Sequence, residues 1–156
     1  MNGEDLFARF RALACSGTNM NQVLPYSLWL GHAGDSRDFR RVLDAGIEAL
    51  VQLAAEEPPS QAPRELICCR FPLLDGSGNR PELISLAVRT VATLLEMKVP
   101  TLVCCGAGMS RSPAVAAAAL ALIHQESPET WLKRVADHHP SDVSPGLWQE
   151  VRAALR

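Results

Sequence analysis

The feature that most constrains the fold is an alanine-rich segment, residues 114–121, in which every side chain is apolar. A helix built from this segment has no polar face, so protein must cover it on all sides. A short apolar run of strand type, residues 101–105, lies upstream, and a loop of small residues joins the two. A strand, a tight loop and a fully buried helix in this order predict a layered domain with a sheet at its centre.

Strand and helix patterns alternate along the rest of the chain. Apolar runs over residues 47–53 and 66–71 predict buried strands, and residues 22–30 predict two short extended pieces. Helices are predicted, from apolar spacing and from the residues at their ends, over residues 36–45, 81–97, 112–124, 128–137 and 146–155. This order predicts an α/β fold, a single layered domain with a mostly parallel central sheet flanked by helices.

Length and composition agree with one globular domain. The chain has 156 residues, of which 47% are hydrophobic and 21% are charged, and this balance excludes a disordered protein. Residues 4–15 place apolar side chains on one helical stripe. We therefore expect a helical extension over residues 1–20 and a main domain over residues 21–156.

Charge and hydropathy exclude several functional classes. The net charge of −2 lacks the cationic excess that binding to a phosphate backbone requires, so we expect no nucleic-acid partner. No apolar run reaches the roughly 18 residues that span a bilayer, so we expect no membrane partner. The acidic, polar start of the chain is unlike a secretory signal. These features predict a cytoplasmic location.

The cysteines also favour a reducing compartment. Their count is odd and four of them form two vicinal pairs, unlike a secreted disulfide framework; the set is Cys15, Cys68, Cys69, Cys104 and Cys105. Vicinal pairs lack the two-residue spacing of a zinc site, so we expect no metal. Cys68, Cys69 and Cys104 are expected to be small core residues. The alternative for them is a resolving thiol that forms a disulfide with Cys105 under oxidation.

The loop before the alanine-rich helix carries the chemistry. Gly106 and Gly108 allow positive φ, so successive N–H groups can curl around one anion. The helix that follows adds its partial positive charge, and Arg111 can bind two phosphate oxygens at once. We therefore predict an oxyanion site facing the sulfur of Cys105. The predicted phosphate-binding residues are Gly106, Ala107, Gly108, Met109, Ser110 and Arg111.

A nucleophilic thiol needs substantial help from such a loop. A free cysteine has a pKa near 8.5, so only a few per cent is thiolate at pH 7. Lowering a thiol pKa by about 2 units requires about 2.7 kcal/mol in favour of the anion. A helix dipole supplies roughly 0.3–1 kcal/mol. Loop amides, the Ser112 hydroxyl and the Arg111 charge must therefore contribute the rest.

The loop resembles the signature of cysteine-dependent protein phosphatases, and the dual-specificity subfamily in particular, in its Cys-x5-Arg-Ser spacing with Ala-Gly between. The resemblance extends over residues 22–154. Residues 28–31 (Leu-Trp-Leu-Gly) and 144–148 (Ser-Pro-Gly-Leu-Trp) are similar to segments near the two ends of that domain. Asp75 lies 30 residues before Cys105, where the family carries a mobile general acid. The main domain is thus identified as dual-specificity-phosphatase-like and catalytic.

The resemblance implies a hydrolase that removes phosphate from protein Tyr and Ser/Thr side chains through a phosphocysteine. Cys105 is then the nucleophile, and Arg111 with the loop amides stabilises the transferred oxygens. Asp75 serves as general acid and then as base, and Ser112 helps the thiolate leave. No cofactor or metal is implied. Phosphate-like oxyanions such as vanadate and tungstate are expected inhibitors.

The substrate expectation rests on one further feature of the loop. Residues 106–109 contain no Lys or Arg, whereas relatives that act on inositol phosphates or RNA triphosphates tend to carry extra positive charge. We therefore expect a phosphoprotein substrate.

The resemblance has one departure, because Cys104 stands where the family has a histidine that helps hold the loop and keep the nucleophile acidic. This predicts a slower enzyme. Two other classes stay open: a non-catalytic phosphoresidue-binding module, and a thiol-based redox or sulfur-transfer enzyme of rhodanese or arsenate-reductase type. For Asp75 the alternative is an ordinary turn residue, since Asp-Gly is a common turn pair.

Aromatic and imidazole side chains outside the loop receive structural interpretations. Trp29, Trp131 and Trp148 are expected to pack in the core. His138 and His139 precede a proline in a polar stretch and are expected at the surface, with substrate contact as the alternative.

Overall fold

A computed structural model describes residues 20–156, and the helix predicted over residues 4–15 lies outside them. Five strands form one sheet: β1 (Asn21–Gln22), β2 (Leu28–His32), β3 (Ala49–Ala54), β4 (Ile67–Leu73) and β5 (Thr101–Cys105). Their spatial order is β1-β2-β5-β3-β4. Only the β1–β2 pair is antiparallel, so the predicted mostly parallel central sheet is confirmed.

Five α-helices complete the described fold: α1 (Phe39–Asp44), α2 (Pro81–Glu96), α3 (Arg111–His124), α4 (Pro128–Ala136) and α5 (Pro145–Ala154). The single helix predicted over residues 36–45 is instead two pieces, because a 3-10 turn (Asp35–Arg37) precedes α1. Asp38 separates them as the N-cap of α1, where its side chain accepts a hydrogen bond from the Arg41 N–H at 3.3 Å. The cap starts a new helix instead of extending the turn.

Helix α3 lies at the centre of the fold, as its composition predicts. Every residue from Arg111 to Ala121 is buried, and α3 contacts α2, α4 and α5. The larger core lies between this helical layer and one face of the sheet, and includes Val51, Val103 and Trp131. A smaller core on the opposite face lies under α1, with Val42, Ile47, Leu50, Leu66 and Leu102. Trp29 and Trp148 pack partly buried against these cores, as expected.

The prediction that the cysteines outside the loop are core residues is wrong for two of them. Cys104 is buried as predicted, but Cys68 is exposed and Cys69 only partly buried. Both belong to β4, which forms an edge of the sheet and pairs on one side only. An edge strand is covered less completely than a central one, so apolar composition alone did not decide burial here.

Three loops come together at the carboxyl ends of the parallel strands. Strands β3, β4 and β5 are parallel, so their carboxyl ends lie on the same side, where open α/β sheets bind ligands. The loop after β3 carries Glu56, the loop after β4 carries Asp75, and the loop after β5 is the predicted phosphate-binding loop. Within residues 20–156, no helix has both the length and the apolarity that crossing a membrane needs.

Candidate active site

Cys105 ends β5, a strand with neighbours on both sides, so β2 and β3 fix the position of its backbone. The residue is 3% exposed. It borders a cavity of about 220 Å³, whose other lining residues are Asp75, Ala107, Met109, Ser110, Arg111 and Asp142. Most of the residues predicted to act together therefore surround one concave space.

The two loop glycines are needed for different reasons. Gly108 has φ +77°, and a side chain there would come within 2.7 Å of the Gly31 carbonyl oxygen in β2. Gly106 does not adopt a positive φ, contrary to the sequence-based expectation. A side chain at Gly106 would instead meet the Glu56 carboxylate at 2.8 Å and the Arg111 guanidinium at 3.1 Å. Space, not backbone conformation, explains the first glycine.

Groups outside the loop bind its carbonyls. Three carbonyl oxygens accept hydrogen bonds: Gly106 from the Ala33 N–H (3.2 Å), Gly108 from His139 Nε2 (2.5 Å) and Met109 from the Asp142 N–H (2.7 Å). The loop is thus held from its outer side by the residue that follows β2 and by the segment between α4 and α5.

The N-terminus of α3 is left without a side-chain cap. Ser110 occupies the N-cap position, but its hydroxyl makes no capping bond. It instead donates to Asp75 Oδ1 at 2.6 Å and accepts from the Ser144 N–H at 3.0 Å. The first N–H groups of α3 therefore keep their capacity to bind an anion.

Arg111 presents one paired and one unpaired edge. Its side chain is 4% exposed, and Nη1 donates to Glu56 at 2.6 Å and to the Leu73 carbonyl at 2.9 Å. Nη2 donates to the other Glu56 oxygen. Nε is buried and has no hydrogen-bond partner among the described residues. The Nε–Nη2 edge can therefore take two oxygens of an anion while Glu56 holds the Nη1–Nη2 edge.

The ion pair shifts the ionisation of both partners in the expected directions. The hydrogen bond from Arg111 lowers the pKa of Glu56 to about 2, and the same bond raises the pKa of Arg111. Glu56 is therefore ionised at neutral pH. Sequence reasoning missed this residue, because it lies in a polar, proline-containing loop far from residue 111.

The loop that carries Asp75 is bound at both ends. Asn79 accepts from the Leu74 N–H at 2.7 Å and donates to the carbonyls of Leu74 and Gly76. Glu150 of α5 accepts from the Asn79 side chain at 3.0 Å and from the Gly78 N–H. These contacts hold a short turn whose exposed Asp75 reaches the phosphate-binding loop.

The fold matches those of solved phosphatases and phosphatase-like proteins. Human DUSP28 superposes with a TM-score of 0.76 at 24% sequence identity, over 87% of this chain and 95% of that one. A mouse putative dual specificity phosphatase complexed with zinc tungstate gives 0.74 at 22% identity, over 86% and 85% of the two chains. Human tyrosine phosphatase-like serine/threonine/tyrosine-interacting protein gives 0.72 at 18% identity, over 86% and 94%. No protein-family model matches the sequence, and a search of curated proteins finds no match.

The fold is that of the dual-specificity phosphatases. The expected fold resemblance is thus confirmed over nearly all of the described residues. Within this dual-specificity-phosphatase fold, Cys105, Arg111 and Asp75 come together around one cavity. Ser112 is fully buried in the first turn of α3, and its hydroxyl has no hydrogen-bond partner among the described residues. Residues 20–156 contain no cluster of three His, Cys, Asp or Glu that could hold a metal ion.

The cysteine before the predicted nucleophile is a neutral core residue of this phosphatase fold. Cys104 is 2% exposed, and its thiol donates a weak hydrogen bond to the Val51 carbonyl at 3.6 Å. Burial raises the pKa of Cys104 to about 12. Successive side chains of a strand point to opposite faces, so the Cys104 thiol lies on the other side of β5 from Cys105.

The expected surface position of the paired histidines is wrong for one of them. His138 is exposed, but His139 is 6% exposed and binds the phosphate-binding loop. A single turn of chain after α4 directs the second imidazole inward. The sequence offers no periodic signal for this, because the two residues are identical and lie outside any regular element.

The Glu56–Arg111 pair predicts how stability depends on pH. The folded-state pKa of Glu56, about 2, lies below the ordinary glutamate pKa of 4.5, so the ion pair stabilises the folded protein fully above pH 4.5. This contribution is lost as the pH falls from 4.5 through about 2. Solvent screening keeps it modest, since the Glu56 side chain is 56% exposed. Glu56→Gln should therefore lower Tm above pH 4.5. Its Tm should also fall less steeply than that of the parent protein as the pH is lowered from 4.5.

Thermal denaturation between pH 2 and 7 measures this effect. Glu57→Gln is the matched control, because it removes the neighbouring carboxylate, which pairs with Arg37 and not with Arg111. An acid decline in Glu56→Gln as steep as in the parent protein would contradict the assignment.

Proposed function

We propose that this protein is a phosphatase that hydrolyses phosphomonoesters on protein Tyr and Ser/Thr side chains through a phosphocysteine intermediate. One observation carries the proposal. The buried Arg111 keeps its Nε edge unpaired beside a cavity of about 220 Å³ that Cys105 also borders. A buried guanidinium edge and an uncapped helix N-terminus next to a thiol form a binding site for an oxyanion that faces sulfur.

The first chemical step transfers the phosphoryl group to sulfur. The Cys105 thiolate attacks phosphorus, so an S–P bond forms while the bond to the leaving oxygen breaks. The free edge of Arg111 and the loop N–H groups stabilise the equatorial oxygens. Asp75 supplies the proton to the leaving oxygen. Ser110 occupies Oδ1 of Asp75, and Oδ2 has no partner among the described residues, so Oδ2 can carry that proton.

The second step regenerates the thiol. Asp75, now ionised, takes a proton from water as the water oxygen attacks phosphorus. The S–P bond breaks, and inorganic phosphate and the Cys105 thiolate are released. The Ser112 hydroxyl, buried without another partner, is available to donate to the departing thiolate. Neither step requires a metal ion.

The rim of the cavity supports a singly phosphorylated protein side chain as the substrate. Of the seven lining residues, Arg111 is the only cation, and Asp75 and Asp142 both carry carboxylates. Asp142 is exposed at this rim. Extra phosphate groups near the reacting one would meet repulsion there, so inositol polyphosphates and RNA triphosphates fit poorly.

The two alternative classes make different use of the same loop. A phosphoresidue-binding module needs the Arg111 edge but has no use for Asp75 at the cavity. A redox or sulfur-transfer enzyme needs a reactive sulfur but likewise leaves Asp75 unexplained. The Asp75–Ser110 contact joins a proton donor to the anion site, which favours hydrolysis.

The nucleophile is tested by two adjacent substitutions. Cys105→Ser should abolish turnover of a chromogenic aryl phosphate, because a serine hydroxyl at this position is a far weaker nucleophile than a thiolate. Cys104→Ser should retain activity within about threefold, since an isosteric change on the opposite face of β5 leaves the cavity unaltered. Initial rates with a chelator present, together with vanadate inhibition of the parent protein, measure both effects.

Equal activity of the parent protein and Cys105→Ser would rule out the proposed mechanism. A parent protein that binds vanadate but shows no turnover would be a binding module. A parent protein that neither hydrolyses the aryl phosphate nor binds vanadate would favour the redox or sulfur-transfer class.

The general acid is tested by varying the leaving group. Asp75→Asn should lower kcat by roughly 10²–10⁴-fold for an alkyl or simple phenyl phosphate, whose leaving oxygen needs a proton. The loss should shrink for a strongly acidic phenol, which leaves without protonation. Asn79→Ala is a companion variant that frees the same turn while keeping the carboxylate. A loss in Asp75→Asn that is the same for all leaving groups would argue against acid catalysis.

The acidic rim is tested by reversing one charge. Asp142→Lys should raise kcat/KM several-fold for a phosphopeptide with acidic flanking residues and lower it for one with basic flanking residues, according to Coulomb attraction. The difference should diminish as the salt concentration rises from about 0.05 to 0.5 M, because the rim is exposed. The peptide selectivity of Asp142→Asn should fall between that of the parent protein and that of Asp142→Lys. Unchanged selectivity in Asp142→Lys would show that Asp142 has no role in substrate recognition.

A further inference from the structure

His139 joins two distant parts of the chain beneath the phosphate-binding loop. The residue is 6% exposed and follows α4. Its Nε2 lies 2.5 Å from the Gly108 carbonyl oxygen, and its Nδ1 lies 2.9 Å from Asn21 Nδ2 in β1. Neither the phosphoryl transfer nor the hydrolysis described above uses this imidazole.

The partners of the ring determine its protonation state. A carbonyl oxygen can only accept, so Nε2 must carry the hydrogen in the bond to Gly108. Nδ1 can then accept from the Asn21 amide, and the ring is neutral. Burial lowers the pKa of His139, in agreement with a neutral ring, although the hydrogen bond to the Gly108 carbonyl and the charge of Asp35 act in the opposite direction.

The bond to Gly108 orients a peptide group of the loop. In a trans peptide the C=O of one residue and the N–H of the next point in opposite directions. His139 draws the Gly108 carbonyl to the outer side of the loop, which turns the Met109 N–H to the other side. Met109 borders the cavity that Cys105 and Arg111 share. Because the Gly108 carbonyl points outward, the Met109 N–H points toward the cavity.

We propose that His139 is a positioning residue that aims the Met109 N–H at the bound phosphoryl group by holding the Gly108 carbonyl. This inference rests on the proposed function and adds to it a residue remote in sequence. The N–H groups of Ala33 and Asp142 hold the Gly106 and Met109 carbonyls in the same way, so the loop has one side-chain tether and two backbone tethers. Only the side-chain tether can be removed without altering the backbone.

Paired amide variants separate the tether from the rest of the ring. The Gln amide nitrogen can reach the position of imidazole Nε2, whereas the shorter Asn amide reaches only that of Nδ1. His139→Asn and His139→Ala should weaken vanadate inhibition and lower kcat/KM by a common factor, on the order of 10- to 100-fold, because the loop carbonyl loses its donor. His139→Gln should remain within about threefold of the parent protein. His138→Ala, the exposed neighbour, is the control and should change nothing.

If His139 only stabilised the fold, its substitution would change stability and not oxyanion binding. It would lower Tm in all three variants, with no selective rescue by Gln and no change in vanadate affinity per folded molecule. Circular dichroism during heating provides the folded fraction. Retained vanadate affinity in His139→Asn, or a Gln variant as impaired as the Asn variant, would overturn the proposal.

Oxyanion binding keeps this test separate from the proposed function. If the parent protein binds tungstate in calorimetry but has no turnover, the hydrolytic function fails and the tungstate affinities of the same variants still decide the role of His139. Nitrogen NMR of the parent protein adds a readout that needs no ligand: His139 should show a protonated Nε2 and an unprotonated Nδ1. The opposite tautomer would contradict the tether.

Discussion

The arrangement of the loops at the carboxyl ends of β3, β4 and β5 depends on one buried cation. The Arg111 guanidinium is almost entirely enclosed, and an enclosed charge is costly unless it is paired and hydrogen-bonded. Its partners come from two different strands, because Glu56 follows β3 and the Leu73 carbonyl ends β4. The cation therefore joins the ends of β3 and β4 to the start of α3. Since these bonds occupy one edge of the guanidinium, the remaining edge is fixed in direction before any ligand arrives, and preorganised donors of this kind need no rearrangement when charge develops.

A second set of contacts connects the turn of Asp75 to the C-terminal part of the domain. Ser110 bridges Asp75 and the Ser144 N–H at the start of α5, and Glu150 of α5 binds the far side of the same turn. The serine that would ordinarily cap α3 is used for this bridge. One hydroxyl thereby leaves the helix N-terminus open and brings a carboxyl group to the cavity rim. The position of α5 and the position of the proposed general acid are consequently coupled through short-range polar contacts.

Local sequence patterns were sufficient for the parts of the site that are contiguous in the chain. The segment from Cys105 to Arg111 encodes a strand end, a loop and a helix start, which follow from local rules, whereas Asp75 was singled out by the family resemblance. Glu56 and His139 were beyond such rules, because each reaches the site only through tertiary packing from an irregular segment. The same limit explains the errors in burial. Composition marks Cys68 as apolar, but the strand order that leaves β4 at the edge depends on how distant strands pair.

The residue before the proposed nucleophile shows how the loop can be held without the histidine that the family resemblance leads one to expect. Cys104 is neutral, buried and directed to the Val51 carbonyl, so it offers neither charge nor a strong donor to the loop. The donors come from elsewhere: backbone N–H groups of Ala33 and Asp142, and the imidazole of His139. In the proposed mechanism, an imidazole still supports the loop, but it approaches from the segment after α4 instead of from β5. A change at position 104 then costs less in loop geometry than the motif alone suggests, because three independent bonds already hold the loop carbonyls outward.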